Sequence, residues 1–223
     1  MNKFYNALLF LLFVPTMLLA IIVGLDVPLP FLHTTGANLP YKNEAFIVLG
    51  IFMCLTNVRR SMRRWIAMKL VNQIEKYTWN SVVSKERIKR VLLYNYLEAF
   101  IMFFSALGLY FLADEAIVPA IVLFVSSIDE VFFAIYGKAA NKFRLGFTSK
   151  ALLAGDRDVT VIYFKGLRRV SIHQQTLYFD FKDDLHMRFP IDLIPVESRE
   201  DFFKSFISNI DESIVYIENN IPR

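Results

Sequence analysis

The chain has little of the chemistry from which most enzymes and small disulfide-rich domains are built. A single cysteine, Cys54, in 223 residues excludes an internal disulfide, a thiolate cluster and a CxxC redox pair. Set within an apolar run, Cys54 reads as a small core residue. Three histidines, His33, His173 and His186, lie far apart and make no ligand spacing such as HExxH. Walker A, a strand-linked GxGxxG and GxSxG are missing too. The expectation is therefore a non-enzymatic protein with no catalytic residues, no cofactor and no metal.

Charge is equally uneven, because long stretches hold almost none. Apolar runs occupy residues 7–25, 45–58, 91–113 and 116–137, rich in Leu, Ile, Phe, Val and Ala. At about 1.5 Å per residue, three of these can cross a hydrocarbon core of roughly 30 Å, and the second does so with help from its neighbours. Four transmembrane helices are predicted. The first, preceded by Lys3, is longer than a signal-peptide core and is followed by no small-x-small cleavage site, so it reads as a retained span.

Between the second and third runs lies a strongly basic block. Arg59, Arg60, Arg63, Arg64, Lys69, Lys76, Lys85, Arg87, Lys89 and Arg90 stand against only Glu75 and Glu86. The positive-inside rule makes this loop cytoplasmic. It follows that both termini are cytoplasmic, and that residues 26–44 and the tight Asp114-Glu115 turn are external. The net charge of +4 belongs to this loop and implies no affinity for nucleic acid.

After Gly137 the chain changes character, with balanced charge and no long apolar run. Alternating segments at residues 144–148, 159–164, 169–172, 177–181 and 186–189 predict half-buried strands. Turns are expected at residues 155–158, at 173–176 and at Lys182-Asp183-Asp184. From Pro195 onward the spacing becomes helical, with Phe203, Phe206, Ile207, Ile210, Ile214 and Ile217 on one stripe. Ser198 stands where a cap is needed, and Glu200 and Asp201 suit the positive end of the helix dipole.

A small antiparallel sheet closed by a C-terminal amphipathic helix resembles the membrane-anchored pleckstrin-homology-like (PH-like) domains of bacteria. The resemblance covers residues 159–207. It rests on an aromatic and aliphatic strand (Phe164, Leu167, Val170), a hairpin ending in an aliphatic-proline segment (residues 177–195) and a helix opening with acids. It implies an interaction module in a bacterial inner membrane. The dense Lys/Arg loop of phosphoinositide-binding members is lacking here. The expected organisation is an α-helical membrane unit over residues 1–137, with a basic helical loop at 58–90, and a cytoplasmic α+β PH-like domain over 138–223.

Within the basic loop, Met62, Ile66, Leu70, Ile74 and Tyr77 recur at helical spacing, flanked by Trp65 and Val71. A basic amphipathic helix follows, either prolonging the second span or lying along the inner leaflet. Arg59, Arg60, Arg63, Arg64, Trp65 and Lys69, with Arg168 and Arg169, are candidate contacts to a protein partner or anionic lipid. The pair Arg168-Arg169 has a plainer reading as a solvated turn.

Three acids, Glu98, Asp129 and Glu130, fall inside predicted spans, where acids are rare and usually face the bundle interior. The tight turn makes the third and fourth spans antiparallel neighbours and sets Glu98 level with about Glu130. Arg59 and Arg60 could reach that layer. An ion-pair layer that fixes helix packing is the plainer reading, and a proton or cation site the functional one. Expected partners are membrane lipids and either a protein or a second copy of the chain. The expected role is that of an accessory, scaffold or regulatory subunit of a membrane assembly. One alternative is a ligand-sensing effector that oligomerises and perturbs the membrane. Another is a lipid-modifying enzyme built around Ser126, Ser127, Asp129 and Glu130.

Overall fold

The computed structural model describes residues 2–157, 159–182, 185–210 and 215–218, with side chains from residue 11 onward. Three helices are long and apolar enough to cross a membrane. They are α2 (Lys42–Val71, 30 residues), α3 (Lys85–Leu112, 28 residues) and the 26-residue stretch Asp114–Ala139, a 3-10 turn running into α4 (Ile117–Ala139). The first predicted span forms α1 (Asn2–Gly24), whose described side chains make a shorter apolar helix over Leu11–Gly24. The chain divides into two compact units, Met1–Met62 with Tyr94–Ala134, and Arg63–Leu93 with Ile135–Arg223.

In the first unit all four helices supply one core of Ala20, Val23, Phe46, Met53, Ala106, Leu109, Ala113, Ala116, Ala120 and Leu123. Half of these are alanines, and small residues let helix backbones approach closely where no hydrophobic drive separates protein from lipid. Gly24 shows the same demand, since a Cβ there would stand 1.9 Å from the carbonyl oxygen of Leu112. Large apolar side chains point outward instead, among them Phe52, Leu55, Phe100, Phe104, Ile121 and Ile128. Cys54 points outward with them and is exposed, one residue beyond the buried Met53. It is thus no core residue, because a 100° step along the helix turns it away from the bundle.

The connection between α1 and α2 is internally bonded. Strands β1 (Pro28–Leu29) and β2 (Thr34–Thr35) pair antiparallel, and Asp26 accepts the Ala37 amide at 2.8 Å. The Thr35 side chain and the Ala37 amide together hold the Asp26 carboxyl below the ordinary carboxylate range. Lys42, opening α2, binds the Ala37 carbonyl at 2.8 Å and the Glu115 carboxylate at 2.5 Å.

The second unit holds two four-stranded sheets. One is ordered β3-β4-β5-β6, with β3 Trp79–Val82, β4 Arg144–Phe147, β5 Ala151–Gly155 and β6 Val159–Tyr163, all antiparallel. The other, β10-β7-β8-β9, comprises β7 Leu167–His173, β8 Thr176–Phe181, β9 His186–Pro190 and a short parallel strand β10, Tyr216–Ile217. Helix α5, Arg199–Asn209, buries Phe202, Phe203 and Phe206. The Phe206 ring meets Phe147, Phe164 and Phe179 edge-on at 5.7–6.0 Å. Such tilted aromatic contacts add to burial of the rings.

Three elements depart from the expectations of sequence. Strand β3 lies inside the segment assigned to a basic helical loop, so the helical stripe stops at Val71, and Ile74 and Tyr77 fall in a 3-10 turn and extended chain. The sheet unit therefore recruits residues from the loop between α2 and α3. Strand β5 shows no alternation because four of its five residues are buried, which hides a strand from a period-two reading. Past Asn209 the predicted helical stripe ends, and Ile217 sits in a strand; Ile214, like Asp158 and the Asp183-Asp184 turn, lies outside the described residues. Ser198 occupies the N-cap position of α5 without a side-chain cap bond, a 3-10 turn over Val196–Ser198 leading in instead.

Trp79 ties β3 to the aromatic core, stacked on Phe147 at 6.0 Å and edge-on to Phe202 at 5.0 Å. Trp79→Ala should lower the stability of the sheet unit by about 3 kcal/mol, the low end for a large aromatic because the ring is half-buried. Chemical unfolding in detergent, followed by circular dichroism, checks this.

Candidate functional site

A charge cluster lies within the first unit. Arg60, two residues before that unit's α2 portion ends, turns inward and makes a two-pronged pair with Glu98 of α3, its Nη2 lying 2.7 Å from Oε2 and its Nη1 meeting Oε1. The same Nη2 stands 3.6 Å from Oε1 of Glu130 on α4. Side-chain exposure is only 12% for Arg60, 20% for Glu98 and 3% for Glu130, so little water screens the group. Asp129 stands one residue before Glu130 on α4 and is half-buried.

Glu98 and Glu130 meet one guanidinium because α3 and α4 leave a common turn and place these acids about 21–24 Å along each helix. The guanidinium fork matches a carboxylate in two parallel bonds, which a lysine would not provide. Taking charges from water into a helix bundle is costly, and the cost is recovered only when each charge has close partners.

Around this cluster stand polar groups that spacing alone did not single out. Asn95 is fully buried, and neither end of its amide has a hydrogen-bond partner among the described residues. It lies three residues before Glu98, and Asn57, whose buried amide nitrogen is also unpartnered among the described residues, lies three before Arg60. That i, i+3 spacing puts each asparagine on the face of its charged neighbour. Ser126 and Ser127 donate to the carbonyls of Val122 and Phe124, both at 2.7 Å, within their own helix. Among the described residues no group of three or more His, Cys, Asp or Glu side chains could hold a metal ion.

The remaining basic residues have varied surroundings. Arg59 and Lys69 are exposed, Arg63 is half-buried, and Arg64 is buried at 5% exposure. Trp65 packs on Tyr136 with ring centroids 5.7 Å apart. Arg60 and Arg64 thus turn inward, while Arg59 and Lys69 remain exposed.

In the second unit, Arg87 binds Asp156 at 2.8 Å and Arg90 binds Asp192 at 2.6 Å. Ser84 caps α3 by accepting the Arg87 amide at 3.2 Å while donating to the Asp192 carbonyl at 2.5 Å. Arg87 and Arg90, at the end of the positive block, are therefore answered within the unit. Burial pushes the Arg144 guanidinium down, and its Nε donates to Asn80 at 2.6 Å. Asn80 in turn donates to the Val71 carbonyl at 3.0 Å, satisfying one of the open groups at the end of α2.

Arg168 and Arg169 lie on β7 and not in a turn. A register shift between Leu167 and Arg169 makes a bulge there, so two successive side chains face solvent where a regular strand would alternate. Arg169 pairs with Glu218 at 3.2 Å and lies over the Tyr216 ring at 5.8 Å.

Removing one member of the first-unit cluster leaves its partners buried and unpaired. Arg60→Ala should destabilise the helical unit by roughly 3–5 kcal/mol. Adding Glu98→Gln and Glu130→Leu to Arg60→Met should recover most of that loss. Unfolding in mixed micelles reads both; equal stability of Arg60→Ala and wild type would remove the cluster from any structural role.

No protein-family model, no curated protein and no solved structure matches this chain.

Proposed function

We propose that the chain is a four-span protein of a bacterial inner membrane that acts, without enzymatic activity of its own, as a scaffold or regulatory subunit of a membrane assembly. In this reading both termini are cytoplasmic, and the sheet unit is a PH-like interaction module. Four antiparallel strands, then three, then a helix, in the order β3–β6, β7–β9, α5, support that assignment.

The observation that carries the reading is where the module is cut by the chain. Neighbouring strands β3 and β4 are joined by the whole α3–α4 hairpin, with only residues 83–84 and 140–143 as links. A recognition module interrupted by two spans is joined to them at two points of the chain and not at one. Its hydrogen-bonding surface and apolar exposed side chains, Tyr163, Leu185 and Val196, suit contact with another protein.

Two further features support the topology. Counting about 30 Å from the opposite ends of the helices reaches Met62 on α2, Leu93 on α3 and the neighbourhood of Tyr136 on α4. Along the chain, Trp65, Tyr94, Tyr96 and Tyr136 fall within a few residues of those positions, as do Arg59, Arg63, Arg90 and Lys138, the combination of aromatic residues and positive charge expected at a cytoplasmic face. Helix α1, 23 residues long and seated on α3 through Gly24, supplies the fourth span.

Labelling tests the topology directly. With Cys54 replaced by Ser, a cysteine at the exposed Ala37 should react with an impermeant maleimide added outside intact cells, and one at the exposed Lys165 only after lysis. The reverse pattern inverts the assignment. A native mass spectrum of the full chain, extracted gently from its own membrane, should show a mass above the monomer. A lone monomer under those conditions would defeat the scaffold reading.

A further inference from the structure

We propose that the edge of β7 is an acceptor for an extended segment of a partner protein carrying the order aliphatic, aromatic, aliphatic, acidic, and that Val215–Glu218 of this chain occupies it as a displaceable mimic. This rests on the reading of the sheet unit as an interaction module, and it adds which edge recognises and what it recognises.

The covering strand is slight compared with what it covers. β10 has two residues against seven in β7, and pairs Tyr216 with Arg169 and Ile217 with Val170. One further backbone bond, from the Glu218 amide to the Val170 carbonyl at 3.1 Å, extends it. The pairing is parallel, in an otherwise antiparallel sheet, and parallel ladders hold less firmly per residue.

Side chains supply the selectivity. Val215 is buried and Ile217 half-buried, while Tyr216 lies outward beneath the Arg169 guanidinium. Glu218 sets one carboxylate oxygen 3.2 Å from Arg169 and the other 3.8 Å from Nε2 of His173. The bulge at Arg168 presents two arginines in succession, and His173 stands at the far end of the same strand. That edge is positive, apolar in its middle and already adapted to a peptide backbone. Strand addition draws affinity from backbone hydrogen bonds and specificity from the side chains between them.

Arg169 is exposed and Glu218 half-buried, so water screens the pair from the arginine side and it holds modestly, which suits a cover that must leave. As long as the tail is seated, it competes with an incoming strand at the high effective concentration of a tethered ligand. Weakening the tail while leaving β7 intact must therefore raise apparent affinity for a strand of the same pattern.

The test uses the full chain in nanodiscs and a fluorescent peptide of residues 213–220. Tyr216→Ala with Glu218→Lys should bind the peptide about tenfold more tightly than wild type, as the intramolecular competitor is weakened. Adding Arg169→Glu should abolish that gain. Hydrogen exchange should show β8 and β9 unchanged in both variants; where it does not, Glu218→Gln alone, with its smaller expected gain, replaces them. Equal peptide affinity in wild type and the tail-weakened chain overturns the proposal, as does binding that survives Arg169→Glu. Either result stands apart from the native mass spectrum, which tests the scaffold reading by itself.

Discussion

The pairing of β3 with β4 is the contact on which the organisation of this protein depends. Four residues of an otherwise basic, helix-flanked loop leave the end of α2, run antiparallel to the strand that follows α4, and so close the α3–α4 hairpin at its base. Trp79 and Phe147 stack across that ladder, and Gly146 accommodates the crossing, since a Cβ there would stand 2.7 Å from the Trp79 carbonyl. Everything the chain does between residues 83 and 143 begins and ends on one edge of one sheet. A contact of such long sequence separation has a large entropic cost of closure, which the aromatic core and the capped start of α3 offset.

Charge is handled differently in the two units. In the helical unit, Arg60 answers two carboxylates at once, and the sparse polar groups around it, Asn57, Asn95 and Ser127, sit on the same inward faces. In the sheet unit, Arg87 pairs with Asp156 and Arg90 with Asp192 near the start of α3. The basic block that marks the predicted cytoplasmic face thus has two populations: residues that point outward and bear on topology, and residues whose charge is used to hold the fold. Composition counts them alike.

The helices were legible because their signal is additive along the chain. Runs such as 91–113 declare themselves by length and lack of charge, and the tight Asp114-Glu115 turn forces α3 and α4 together. The common level of Glu98 and Glu130 followed from that turn, and Arg60 was within reach on the same count. Alternation likewise revealed β4 and β6 to β9. Illegible were the elements whose pattern depends on a partner far away. Trp79–Val82 is too short and too polar to announce a strand until β4 is beside it, and Ala151–Gly155 is buried on both faces, which erases alternation. Tyr216–Ile217 continued an apparently helical stripe, and only the edge of β7 makes it a strand.

What the sequence determined by itself is local and one-dimensional: apolar length enough to span a bilayer, a basic block set between apolar runs, and the change to alternating strands after Gly137. These follow from transfer free energies and backbone periodicity, which need no knowledge of distant contacts. The tertiary structure alone decided that the inner loop surrenders a strand to the second unit, that Arg60 faces inward while Arg59 remains exposed, and that the last strand lies along β7. Each of these depends on hydrogen bonds and ion pairs between residues 38 to 70 positions apart, and a pairwise interaction at that separation leaves no period in the sequence to read.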